Sequence, residues 1–289
     1  MRNTGWFAML FASIMALQTL AMAPSAAATV APADVMRVIR AADDDATRAS
    51  AARLQAAAEA GDSFAMYDIG SLHRQPGRKG AAVFAYDPGK ALMWLTRAFN
   101  AGRLGAAYKI ALTYAAIGDD MEAAGWASVY AHYLRPYEAA NDAPNPLRVN
   151  LMNDLQTRIG RGREEAVDAR RMTLLDKHSA RFEAARKQPA AAHPQVIEAG
   201  DACTHAVPAN GYGAELALPT DVLVEYVVQI QPNGRPGTFA VLDAASQAIA
   251  DRAVQSLVER MNCKPRNAER YAIQSFQLQS GPRLRQNED

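Results

Sequence analysis

Leu54-Gln55-Ala56-Ala57-Ala58-Glu59-Ala60-Gly61 matches Leu95-Thr96-Arg97-Ala98-Phe99-Asn100-Ala101-Gly102, 41 residues further along the chain. The same offset carries Ala65 to Ala106, Ile69 to Ile110, Gly70 to Ala111 and His73 to Tyr114. In the next helix the offset falls to 32, taking Ala91 to Ala123 and Trp94 to Trp126. The first unit is therefore nine residues longer than the second. The extra length falls naturally in Arg74 to Tyr86, where Pro76-Gly77 and Gly80 point to an exposed loop.

Each unit reads helix, turn, helix, with small residues where helices must approach and aromatics filling the space between. Such a pair cannot bury its apolar face alone, and stacking on its neighbour is what stabilises it. The expected repeat core is Ala65, Ile69 and Gly70 in one helix, Ala91, Trp94 and Ala98 in the next, then Gly102, Ala106, Ile110 and Trp126. These positions, with Asp87 and Lys90 opening the second helix, resemble the Sel-like repeats, relatives of the tetratricopeptide arrays. The resemblance covers about residues 48 to 135, with Ala111 where a second Gly would stand. It implies an α-solenoid across 32–140, used for protein or peptide contact and without chemistry of its own. An Ala-rich helical bundle lacking solenoid geometry is the alternative. A helical extension over 141–187 follows, packed on the array or projecting as a spacer. Residues 188–202, including Gln188-Pro189 and His193-Pro194, read as an interdomain linker.

From Thr220 the period changes to two. Val222, Val224, Tyr226, Val228 and Ile230 alternate with Leu223, Glu225, Val227 and Gln229, which predicts a strand. Asn233-Gly234 is a tight turn, and Thr238 to Leu242 is expected to return as a second strand. Ala250, Val254, Leu257, Val258 and Met261 mark one helix face, closed by Pro265. Ser275 to Leu278 is the expected last strand. The order β-β-α-β, with a helix covering one face, makes 203–281 a small α+β domain and the chain a multidomain protein.

This order, and the run Ile249-Ala250-Asp251-Arg252-Ala253-Val254 ending at Met261-Asn262-Cys263-Lys264-Pro265, resembles the C-terminal domain of TonB-type energy transducers. The family implies that an extended receptor peptide binds by strand addition, a mechanism that needs backbone groups more than particular side chains. The chain departs from the family elsewhere. A helical array stands where a Pro-rich tether is expected, and the apolar N-terminal stretch contains no His.

That stretch runs from Trp6 to Leu20 behind Arg2 and ends in Ala26-Ala27-Ala28, the pattern of a secretory signal cut after residue 28. An uncleaved membrane anchor is the competing reading, since the stretch approaches the ~20 residues that span a bilayer. Export makes the two cysteines, Cys203 and Cys263, an expected disulfide. Two free thiols or a metal site are the alternatives, although no further ligands stand at zinc-like spacing.

Lys+Arg 31 against Asp+Glu 30 gives no field that would attract nucleic acid. His73, His132, His178, His193 and His205 are scattered without metal-ligand spacing. Gly160-Arg161-Gly162 and Gly211-Tyr212-Gly213 read as turns, and Asp43-Asp44-Asp45 and Glu164-Glu165 as caps and solvated faces. No catalytic residue, cofactor or metal is expected. The expectation is a periplasmic, non-catalytic adaptor whose repeats hold a protein partner and whose last domain binds by strand addition, with an outer-membrane receptor among the possible partners. A membrane-anchored energy transducer for outer-membrane transport is the alternative.

Overall fold

The computed structural model describes residues 31–40, 44–76, 83–141, 145–188, 203–205, 222–244 and 247–278. The expected N-terminal signal, residues 189–202 of the expected linker and residues 77–82 of the expected loop lie outside them. The molecule is mostly helical, with a small three-stranded antiparallel sheet near its C-terminus.

Among the described residues, eight helices come first: α1 (Pro32–Arg40), α2 (Asp45–Glu59), α3 (Ser63–His73), α4 (Pro88–Asn100), α5 (Leu104–Ala116), α6 (Asp120–Asn141), α7 (Pro146–Ile159) and α8 (Glu164–Lys187). The starts of α2, α3, α4 and α7 are set by acidic or amide caps, whereas α5 and α8 begin without a side-chain cap. Asp44 accepts from Thr47 N at 2.7 Å, Asp62 from Phe64 N at 2.9 Å and Asp87 from Lys90 N at 3.0 Å. Each satisfies an amide that the first turn leaves unpaired.

The ends of α2 and α4 repeat one another as their sequences do. Asp62 N bonds to Ala57 O and Gly61 N to Ala58 O; Arg103 N bonds to Ala98 O and Gly102 N to Phe99 O. Gly61 and Gly102 sit at φ +105° and +92°, which a side chain would strain. The Leu-to-Gly octets are thus two copies of one helix with one reversal.

Most positions of the expected repeat core are buried, and Gly102 is half-buried at the reversal. Ala65, Ile69, Ala91, Ala98, Ala106 and Ile110 are buried, as are Trp94 and Trp126. Gly70 lies directly against Leu95. Phe99 meets Trp126 edge-on at 5.4 Å and stacks on Phe182 of α8 at 4.4 Å. That contact, with buried Leu174, Leu175 and His178, lays α8 along α6 and α4. Such ring pairs contribute roughly 0.5–1.5 kcal/mol beyond area burial.

The rest is β1 (Thr204–His205), β2 (Val222–Ile230), β3 (Pro236–Ala244), α9 (Gln247–Glu259), β4 (Met261–Asn262) and β5 (Arg270–Leu278). β2 is central, antiparallel to β3 and to β5. β3 and β5 are longer than the sequence predicts, because pairing to the nine residues of β2 recruits flanking residues of weak alternation. β1 pairs with β4, and a disulfide joins Cys203 to Cys263 beside them.

Val224, Tyr226, Val228 and Ile230 bury one sheet face against Ala250, Ala253, Val254 and Leu257 of α9. α9 is the helix that covers this face, and the opposite face is covered too. Val227, Ala240 and Leu242 join the core of the helical array, with Leu223, Tyr271 and Ile273 packed at its margin. β2 carries apolar residues at both parities, so its second face needs a cover too. α1 lies across all three strands and supplies part of it.

Candidate functional site

The interface between array and sheet contains a buried ionic cluster. Lys109, 1% exposed on α5, pairs with Glu225 of β2 and with Asp243 of β3, the latter at 2.8 Å. Its Nζ also donates to Ser71 Oγ and lies 3.9 Å over the Tyr67 ring. Tyr67 OH donates to Glu225 at 2.7 Å. Arg74 and Gln75, at the end of α3, reach Asp243, and Gln75 Nε2 donates to Ala244 O at 3.0 Å.

Two cations thus face two carboxylates, and a third carboxyl lies beside them. Burial pushes Asp68 up to about 7, with the negative Glu225 adding to the rise and Lys109 and Arg103 opposing it. Tyr67 is likewise pushed up, first by burial and then by Glu225. The cluster is almost entirely withdrawn from water, and its ion pairs join the sheet to α5 and to the end of α3.

The sequence expectations give Lys109 and Asp243 no role, place Glu225 only as a strand position, and put Arg74 and Gln75 in an exposed loop, whereas the Arg74 side chain is 10% exposed. A signal was available in the repeat. Tyr67-Asp68-Ile69 of α3 stands where Tyr108-Lys109-Ile110 stands in α5. Opposite charges at equivalent positions of two otherwise apolar helices mark a face that meets something polar.

The sheet keeps two outer edges, and they differ. β2 and β5 pair without interruption from Val222↔Leu278 to Ile230↔Arg270. β2 and β3 shift register twice, between Glu225 and Tyr226 and between Val228 and Ile230. The array also caps β3: Arg40 reaches Phe239 O at 3.5 Å and Gln75 holds Ala244 O. Among the described residues, no strand pairs with β5 on its outer side.

A groove lies along α6. α7 runs antiparallel to α6, as the pairs Arg148–Glu138 at 2.7 Å and Arg158–Asp120 at 3.1 Å require. α8 runs parallel to α6, with Arg170 on Glu122 at 2.6 Å and Tyr133 donating to Glu183 at 3.4 Å. The two helices straddle α6 and leave a cavity of about 330 Å³ over Ala124 to Arg135. Met152, Leu155 and Ile159 of α7 wall one side and Val167 of α8 the other.

The remaining sequence-stated residues fall elsewhere. His73 is buried, 2.8 Å from Ala85 O through Nδ1, and His178 is 2.9 Å from Asn100 Oδ1. Glu164 and Glu165 are exposed in the first turn of α8. Among the described residues, no group of three or more His, Cys, Asp or Glu is placed to hold a metal, and no helix is long and apolar enough to cross a membrane.

No family profile matches the chain, and no curated protein matches it. Among solved structures, it is similar to a protective antigen present in uropathogenic Escherichia coli strains that displays an SLR (Sel-like repeat) fold. The identity is 16% and the TM-score 0.36, over 51% of this chain and 30% of that one. The chain therefore matches less than a third of that protein's length.

Proposed function

We propose that the protein is a non-catalytic interaction protein of the periplasm, which takes an extended segment of a partner protein by strand addition on β5. The observation that carries this reading is the contrast between the two sheet edges. A continuous, regularly paired strand with an unpaired outer edge is the template that strand addition uses. β3, bulged and capped by Arg40 and Gln75, is a poor template for the same reason. Both faces of the sheet are covered, so a partner meets the domain at an edge. The signal-like residues 1–28 and the paired cysteines support an oxidising, exported location.

Photo-crosslinking in cells tests this. A benzoylphenylalanine at exposed Ser275 of β5 should give a discrete adduct with another protein, and one at exposed Arg252 of α9 should not. Absence of an adduct from Ser275, or the same adducts from both positions, overturns the reading.

A further inference from the structure

We infer that the groove between α7 and α8 is a second docking site, for an extended acidic peptide carrying a bulky apolar anchor. It goes beyond strand addition, lies on different helices, and stands or fails independently of the β5 edge.

Shape sets the class of occupant. The groove follows α6 from Ala124 to Arg135, a rise of about 16 Å at 1.5 Å per residue. One side chain or small metabolite does not fill that length, whereas about five extended residues do. Small Ala124 and Ala131 leave space in the floor, and Met152, Leu155 and Ile159 present apolar walls. Methionine adapts to anchors of different shape. Desolvating one large aliphatic or aromatic side chain there gives the kind of central anchor on which peptide interfaces depend.

Charge sets the sign. Arg163 marks the end where α7 turns into α8, and Arg135 with His132 marks the opposite end, all three exposed. On the α8 wall, Arg171 is paired with Asp168 at 2.6 Å and the two cancel. Glu164 opposes Arg163 at one end; at the other, Glu138 lies in reach of Arg135 but is held by Arg148 at 2.7 Å, so the Arg135–His132 end is the more positive. A guanidinium at each end of a slot about five residues long fits a peptide with a carboxylate on each side of its anchor.

Fluorescence anisotropy with the intact protein tests this. The probe is a labelled six-residue peptide with Leu-Phe at its centre and Asp or Glu elsewhere. One comparator replaces the acids with Lys, and another replaces Leu-Phe with Ser-Ser. The acidic apolar probe should bind about tenfold tighter than either comparator at low salt, and weaken as salt rises. Arg135→Glu with Arg163→Glu, both at exposed positions, should weaken the acidic probe by about tenfold and improve binding of the Lys peptide. Ala131→Trp, which fills the floor, should abolish binding in protein whose circular dichroism is unchanged. No binding of the acidic probe, equal binding of the Lys peptide, or indifference to the charge reversal overturns the inference. So does self-association of the wild type that the reversal removes, because a second copy would then be the occupant.

Discussion

Lys109 Nζ lies 2.8 Å from Asp243 Oδ2, joining a helix of the repeat array to a strand of the C-terminal sheet. Their side chains are 2% and 4% exposed, so this pair and its neighbours Glu225 and Arg74 are almost entirely withdrawn from water. Isolated charges would not be stable there, and each depends on its partners being in place. The sheet can therefore dock on α3 and α5 only where all the pairs close together. This seating caps β3, and β5 is left as the regular outer strand.

Lys109→Met leaves Glu225 and Asp243 buried with less compensation and should destabilise the protein by about 3–5 kcal/mol. Urea unfolding measures the loss. Adding Glu225→Gln should recover part of it, since the two residues act as a pair. A loss below about 1 kcal/mol, in the range of exposed ion pairs, would show that the cluster does not hold the modules together.

The Asp68 carboxyl, held up to about 7, makes stability pH-dependent. An unfolded Asp titrates near 3.9. Between these values the folded protein keeps a proton that the unfolded chain releases, so this group lowers stability as pH rises from about 4 to about 7. Asp68→Asn stays neutral. Its stability relative to the parent should climb across that window and level off above it. A difference that is constant with pH would contradict the assignment.

Gly70→Ala tests the close approach of α3 to α4. A Cβ there would stand 2.6 Å from Leu95 Cγ and 3.2 Å from Leu95 N, in a fully buried site. Ala favours helix by about 1 kcal/mol over Gly, but parting α3 from α4 should cost about 1–3 kcal/mol. The expected result is a lower thermal midpoint; a rise would mean that Leu95 yields easily.

The Cys203–Cys263 bond closes a separation of 60 residues. Reduction should raise the intact mass by about 2 Da. Replacing both cysteines with Ser should destabilise the C-terminal domain by roughly 4 kcal/mol in the chain-entropy account. Hydrogen exchange along α9 and β5 localises the effect. Alkylation of both thiols in unreduced protein would exclude the bond.

What the sequence determined by itself is local. The two Leu-to-Gly octets specify the end of a helix and its reversal, because a helical pattern and a left-handed Gly are read within eight residues. The alternation over Val222 to Ile230 specifies a strand in the same way. Tertiary structure alone decided how the halves meet. Lys109 and Glu225 lie 116 residues apart and Arg74 and Asp243 lie 169 apart, and no periodicity links such positions. A lone Lys in an apolar helix is equally consistent with a snorkelling surface residue until the carboxylates opposite it are placed. The groove is of the same kind, since the direction α8 takes over α6 follows from packing Phe182 on Phe99 and not from any pattern within α8. The contrast between β3 and β5 follows for the same physical reason: an edge is exposed or covered by what packs around it, and here that is a helical array more than a hundred residues away in sequence.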